Sequence, residues 1–259
     1  MKKKKKQVLV AAILLITLLI IGLIISFTNM FKSSYKVSDR TLKVREKSSE
    51  GYPVMGWVRV QGTNIDYPVL YAQDSNYSLN DVDISFAWTN SSSTTLNDRV
   101  ILHGHNIRNV SSKPLLNEKE FNDFEHLPSF LYYSFVKQNK YIQYTINNKN
   151  YLYKLYAVSM MDESEFYYDE SMDSKTKKAY IKESIEDSYF NFDIDVNSSD
   201  KLITLVTCTR FFGQKGTIIK LDARMVREDE KVRNYKVSKN DSYKKIEDTM
   251  KGDEYNEEA

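Results

Sequence analysis

The chain has 259 residues, 41% of them hydrophobic, and carries 37 basic against 35 acidic side chains, three histidines and one cysteine. Five of the basic residues form the unbroken run Lys2–Lys6, and without them the remainder is slightly acidic, so the clustered basic footprint of a nucleic-acid-binding protein is missing. A single cysteine excludes an internal disulfide, and three dispersed histidines offer no metal-ligand spacing, so neither a metal nor any other cofactor is expected.

Residues 8–27 follow the lysines with no charged side chain. About 20 apolar residues suffice to cross a bilayer, whereas a cleavable signal has an apolar core of roughly 7–15 and small residues before the cut. Residues 28–32 read TNMFK and offer no such site. The segment is therefore expected to be a transmembrane helix at the cell membrane. Residues 1–7 would form a cytoplasmic tail, because basic residues are retained inside. All later residues would then be extracellular, with 28–50 a juxtamembrane stalk or helix. A buried core helix would not tolerate five lysines at its start.

Alternating or β-branched segments recur from residue 52 onward, at 56–60, 67–71, 99–103, 141–146, 151–159, 201–209 and 216–226. Asn147-Asn148 suits a hairpin turn between the fourth and fifth of these. Helices are expected at 114–124, opened by Pro114, and at 175–190, where Ile181, Ile185 and Tyr189 would share one face. Many short strands with few helices imply a mainly β barrel or sandwich with peripheral helices, spanning 51–228. Residues 229–259 are dense in charge and poor in large apolar groups, and are expected to form a disordered tail.

The run KLITLVTCT at 201–209 reads as a buried strand with Cys208 at its far end. A buried structural thiol is one reading and a nucleophile the other. VILHGHN at 100–106 is a strand running into Gly104, which favours His105 as an exposed imidazole at a strand end; His103 would pack in place, and His126 would be polar at a helix end. Arg210, Arg224 and Arg227 are the arginines that could face a developing oxyanion. Arg224 leads by alternation along LDARMV, Arg227 falls on the opposite face, and Arg210 lies in the following loop.

TLVTC (204–208), HGHN (103–106) and DARMV (222–226), in one chain behind an N-terminal apolar segment, resemble the sortases, most closely class B. WVRVQGTNIDYPVL at 57–70 is similar to the family's early strand pair. The resemblance implies a closed eight-stranded β-barrel. It also implies a cysteine transpeptidase that cleaves a C-terminal sorting motif of secreted surface proteins and joins the acyl group to an amine of a cell-wall precursor or pilin. On matching positions Cys208 would be the nucleophile, His105 the acid/base and Arg224 the oxyanion donor, with Thr207 and Asn106 as substrate-binding residues. Two departures stand out: Trp88 in FAWTN occupies a place where the family often carries an acidic residue, and the connection 209–221 after the cysteine is long. None of the four prolines follows an aspartate, so the lid motif of the pilus-building class C enzymes is missing. An extracytoplasmic cysteine protease would use the same Cys–His chemistry with water as acceptor. A non-catalytic surface-binding module would keep Cys208 as core.

Overall fold

The computed structural model describes residues 16–18, 20–21, 53–72, 85–106, 121–211 and 216–254. The expected anchor at 8–27 and stalk at 28–50 lie almost wholly outside these. Positions 16–18 and 20–21 are helical, and no helix among the described residues is long and apolar enough to cross a membrane.

Ten strands are present among the described residues: β1 (Val54–Val60), β2 (Asp66–Tyr71), β3 (Ala87–Thr89), β4 (Arg99–His103), β5 (Tyr141–Ile146), β6 (Lys149–Asp162), β7 (Phe190–Phe192), β8 (Leu202–Thr209), β9 (Thr217–Met225) and β10 (Val237–Lys239). Eight of them close a barrel in the order β1-β2-β3-β4-β8-β9-β6-β5, while β7 and β10 pair separately. The β2–β3 and β4–β8 pairs are parallel and the other barrel pairs antiparallel. The β5–β6 hairpin turns at Asn147 and Asn148, whose φ of 49° and 60° is the left-handed pair that a tight hairpin needs.

Side-chain alternation sorts β8 and β9 into two faces. Ile203, Leu205, Ile219, Leu221 and Ala223 fill the barrel with Val58, Leu102, Phe124 and Tyr153. Leu202 on the other face is covered by Tyr180 and Ile181 of α2 (Ser174–Asp187), and Val206 and Ile218 pack with Ile101 and Phe166. Both faces of β8 are thus buried along its length, and Cys208 is its one exposed residue.

α2 starts where Asp173 caps it, accepting from the Thr176 amide at 2.7 Å. Its buried stripe is Lys177, Tyr180, Ile181 and Ser184, whereas Ile185 is 46% exposed and Tyr189 lies beyond the helix. The expected face of Ile181, Ile185 and Tyr189 is therefore corrected by rotation. The docking surface carries Thr204 and Asp222, and it selects a hydroxyl-bearing stripe: the Tyr180 hydroxyl donates to Asp222 Oδ1 at 2.5 Å. Most of the helix expected at 114–124 falls outside the described residues; residues 123–126 form a turn, leading to a short 3₁₀ helix at Leu127–Leu131 and α1 (Tyr133–Val136).

The expected disordered tail is corrected between 237 and 254. β10 pairs antiparallel with β7, matching Val237 to Phe192 and Lys239 to Phe190. The helix α3 (Asp241–Glu254) then buries Tyr243 and Met250 completely, with the Tyr243 ring 4.9 Å from that of Phe190. The few apolar residues there are spaced to reach one aromatic patch, and that spacing outweighs the polar average.

Candidate active site

The site stands at the β8 end of the barrel, on the outer face. Cys208 pairs with Ile218 of β9, and Ile218 with Met161 of β6, so these three form a lateral row across adjacent strands. On the other flank, β4 runs parallel to β8 with His103 level with Val206. Continuing that register by two residues brings His105 level with Cys208. Two hydrogen bonds hold the segment there. The Gly104 amide donates to Val206 O at 3.2 Å, and the Asn106 side-chain amide donates to Cys208 O at 3.1 Å.

Gly104 is required by close approach: a Cβ on it would lie 2.3 Å from the Phe124 ring. Thr207, next to the cysteine, points into the barrel, is 2% exposed, and donates from its hydroxyl to Gly104 O at 2.8 Å. The Thr207 hydroxyl, expected to bind substrate, is engaged with Gly104 O here. The residue ties the cysteine strand to the histidine strand instead. Asn106 is half-buried beside the cysteine and is bonded to its carbonyl.

The His105 ring lies 4.6 Å from Trp88 and 6.3 Å edge-on from Phe86, and its Nε2 is buried with no partner. His103 is stacked between Trp88 at 5.6 Å and Tyr168 at 6.2 Å. Burial, aided by the Arg99 guanidinium, lowers its pKa to about 4, which keeps it neutral at physiological pH. His126 stacks on Phe121 at 4.3 Å and meets Asn64 at 3.1 Å, and burial lowers it to about 4 as well.

Cys208 is the one cysteine and is exposed. Partial burial of its sulfur raises the thiol above its ordinary range, the Glu163 carboxylate raises it further, and the Arg210 guanidinium opposes both. Glu163 reaches this end because β6 pairs Asp162 with Thr217, and the Glu163 amide donates to Gly216 O at 2.7 Å. Arg210 follows β8 directly and is exposed.

Arg224 is not part of this constellation. The β8–β9 hairpin begins its ladder at Thr209 and Thr217, so the connection is 210–216 rather than 209–221, and Arg224 pairs with Leu202. Six residues of strand separate Leu202 from Cys208, about 20 Å. Arg224 is 1% exposed, donating from Nε to Asp195 O at 3.0 Å and from Nη1 to Met225 O at 3.1 Å. Alternation had placed it on the right face but at the wrong end. The property that decides this is position along the hairpin, which alternation does not carry: the ladder that pairs Thr209 with Thr217 sets Cys208 opposite Ile218. Trp88, marked in the sequence by FAWTN, lies against His105; Asp123, Glu163 and Tyr168 act on His105 or Cys208 and carried no sequence motif of their own.

Comparison with known proteins agrees with this architecture. The sortase domain family matches residues 58–222. Sortase B of Listeria monocytogenes is 24% identical over 176 residues, which cover 64% of this chain and 67% of that protein. Sortase B of Staphylococcus aureus is 21% identical over 184 residues, covering 67% and 70%. The crystal structure of Clostridium perfringens sortase B superposes with a TM-score of 0.56 at 24% identity, covering 67% of this chain and 94% of that one. With the family domain spanning most of the barrel and an exposed cysteine at the end of β8, the chain belongs to the sortase family of cysteine transpeptidases and is class B-like.

Proposed function

We propose that Cys208, His105 and Arg210 carry out a two-step acyl transfer on the C-terminal sorting motif of secreted surface proteins. The observation that carries this reading is the exposed Cys208 near a strand end, flanked by the His105 segment on β4's side and by Arg210 two residues on. His105 accepts the thiol proton, and the thiolate attacks the carbonyl carbon of the scissile bond. Arg210 donates to the tetrahedral oxyanion, the role for which Arg224 lies too far away. Collapse breaks the C–N bond, and the imidazolium gives its proton to the departing amine. A primary amine then attacks the thioester, the C–S bond breaks, and the proton that the amine loses passes through His105 back to the thiol. A sortase B has been solved in complex with triglycine, which supports an amine of a cell-wall precursor as acceptor here; a pilin lysine has the same chemistry.

The lysine run at 2–6 and the uncharged stretch at 8–27 support a single-pass anchor with the catalytic domain outside the cell. Tethering would concentrate the enzyme where its substrates emerge. Protease added to intact cells should then digest the catalytic domain, and full protection would exclude this topology.

The test of the reaction is to incubate the full chain with candidate sorting peptides and triglycine. The expected product is the N-terminal peptide fragment joined to the amine, with no product from Cys208→Ala. Hydrolysed peptide alone, at every amine concentration, would favour a protease.

A further inference from the structure

Next in the chain to Phe124, whose amide binds His105 O, is a carboxylate that the reaction as described does not use. Asp123 lies in the turn 123–126 at φ 44°, a left-handed conformation that Asp and Asn tolerate better than most residues. Its Oδ1 accepts from the Phe86 amide at 3.0 Å, and the Phe86 ring lies edge-on to His105. The next residue, Phe124, donates its amide to His105 O at 3.0 Å, and the Phe124 ring fills the space that Gly104 leaves. Asp123 is thus tied to two residues that meet the histidine, Phe86 by a hydrogen bond and Phe124 along the chain, while His105 Nε2 is buried without a partner.

We propose that Asp123 is the positioning carboxylate of His105, stabilising the imidazolium that forms when Cys208 gives up its proton. The proposal rests on the Cys208–His105 reading above. The arrangement parallels other nucleophile–base pairs in which a third group orients the base and compensates its charge.

The electrostatics around Asp123 set burial against its neighbours. Burial is the largest influence on Asp123 and raises its carboxyl pKa. The Phe86 amide and the His105 cation oppose that, and Glu125 adds to it. The other ionisable neighbour is Tyr67, whose hydroxyl is raised chiefly by burial, with Asp123, Glu125 and Asp66 adding to it. A carboxyl raised in the fold contributes stability below its unfolded value and loses it as pH rises through the folded one. Ionisation of Asp123 above its folded pKa therefore costs stability, and its neutral isostere should fold at least as well.

Asp123→Asn keeps the left-handed backbone and the acceptor for the Phe86 amide, and removes only the charge. Because Cys208 is the only cysteine, iodoacetamide reports its thiolate fraction in the full chain without any substrate. The expected result is alkylation at neutral pH slowed about tenfold, the equivalent of one pKa unit, with Tm unchanged or raised. Glu125→Gln should change the rate by less. Independently, the Asp123 carboxyl titration followed by carbon NMR should move upward in His105→Gln, which removes the facing cation. Alkylation at the wild-type rate in Asp123→Asn, or an Asp123 titration indifferent to His105→Gln, would overturn the assignment. Wild-type alkylation in His105→Gln would instead remove the Cys208–His105 pair itself.

Discussion

The two ends of the β8–β9 hairpin are built from similar residues and behave oppositely. At the Leu202 end, Arg224 is buried between two backbone carbonyls, and Arg227 grips Asp200 through Nε at 2.7 Å and Nη2 at 2.8 Å while reaching Asp195 at 2.8 Å. Lys201 meets Asp98 at 2.9 Å alongside. At the Thr209 end, an exposed thiol stands between a carboxylate that raises its pKa and a guanidinium that lowers it. The first end commits its charges to fixed partners and pins the loop before β8. At the second, the charges nearest the sulfur act on the thiol itself, Glu163 raising its pKa and Arg210 lowering it. Identical side chains thus acquire different work from their distance to the turn.

Substitution of Cys208 by alanine tests the contrast at its extreme. All acyl transfer should vanish, while stability changes by no more than about 0.5 kcal/mol, as for a surface side chain outside the packed core. A large fall in Tm would instead mark Cys208 as structural.

The arginines come next. Arg210→Ala should slow acyl-enzyme formation about 10²-fold, the loss seen for a missing oxyanion donor, with Tm unchanged. Arg224→Lys should acylate at close to the wild-type rate yet lose about 1–3 kcal/mol of stability, because buried carbonyls lose well-aligned donors. The reverse pattern in the two variants would restore Arg224 to the chemistry and break the comparison.

A smaller effect is expected at Arg227. Arg227→Ala removes both guanidinium hydrogen bonds from the buried Asp200 carboxylate and leaves it the Asn197 amide, at a cost of about 2 kcal/mol measured by denaturant unfolding. Activity should persist below the new Tm.

The finest test is the pH dependence of Cys208 alkylation. Its midpoint should lie above that of an ordinary thiol, move down in Glu163→Gln and move up in Arg210→Ala, each by less than about one pH unit given solvent screening. A midpoint insensitive to both substitutions would mean that neither charge reaches the sulfur.

The barrel was legible because its signals are local. Alternation drew β4 and β5 at their observed ends, and Asn147-Asn148 announced its turn. Cys208 and His105 drew notice in the sequence because each lies near the end of a strand-like run; in the fold Cys208 is the penultimate residue of β8 and His105 lies two residues beyond β4. Arg224 was misread because facing direction repeats every second residue, while position along a hairpin depends on where the turn is centred. The face of α2 was misread because it packs on Thr204 and Asp222, so its buried stripe is partly polar. β10 and α3 were missed because a charged average conceals a few residues placed to meet distant aromatics. Asp123 was invisible for a similar reason: only folding brings its turn to the histidine.

The pairing of β10 with β7 also bears on how the chain avoids its own copies. β7 is a three-residue strand rich in phenylalanine, and β10 is its only strand partner among the described residues. Those partner residues are synthesised after every barrel strand. Until they arrive, a finished barrel presents an open edge beside Phe190 and Phe192, the kind of template on which two molecules pair. Once seated, Lys239 lies over the Tyr133 and Tyr243 rings, and α3 closes the patch. β10 and α3 thus cover that edge, and a chain cut before residue 237 should keep its barrel while acquiring a tendency to dimerise through β7, read from its elution volume.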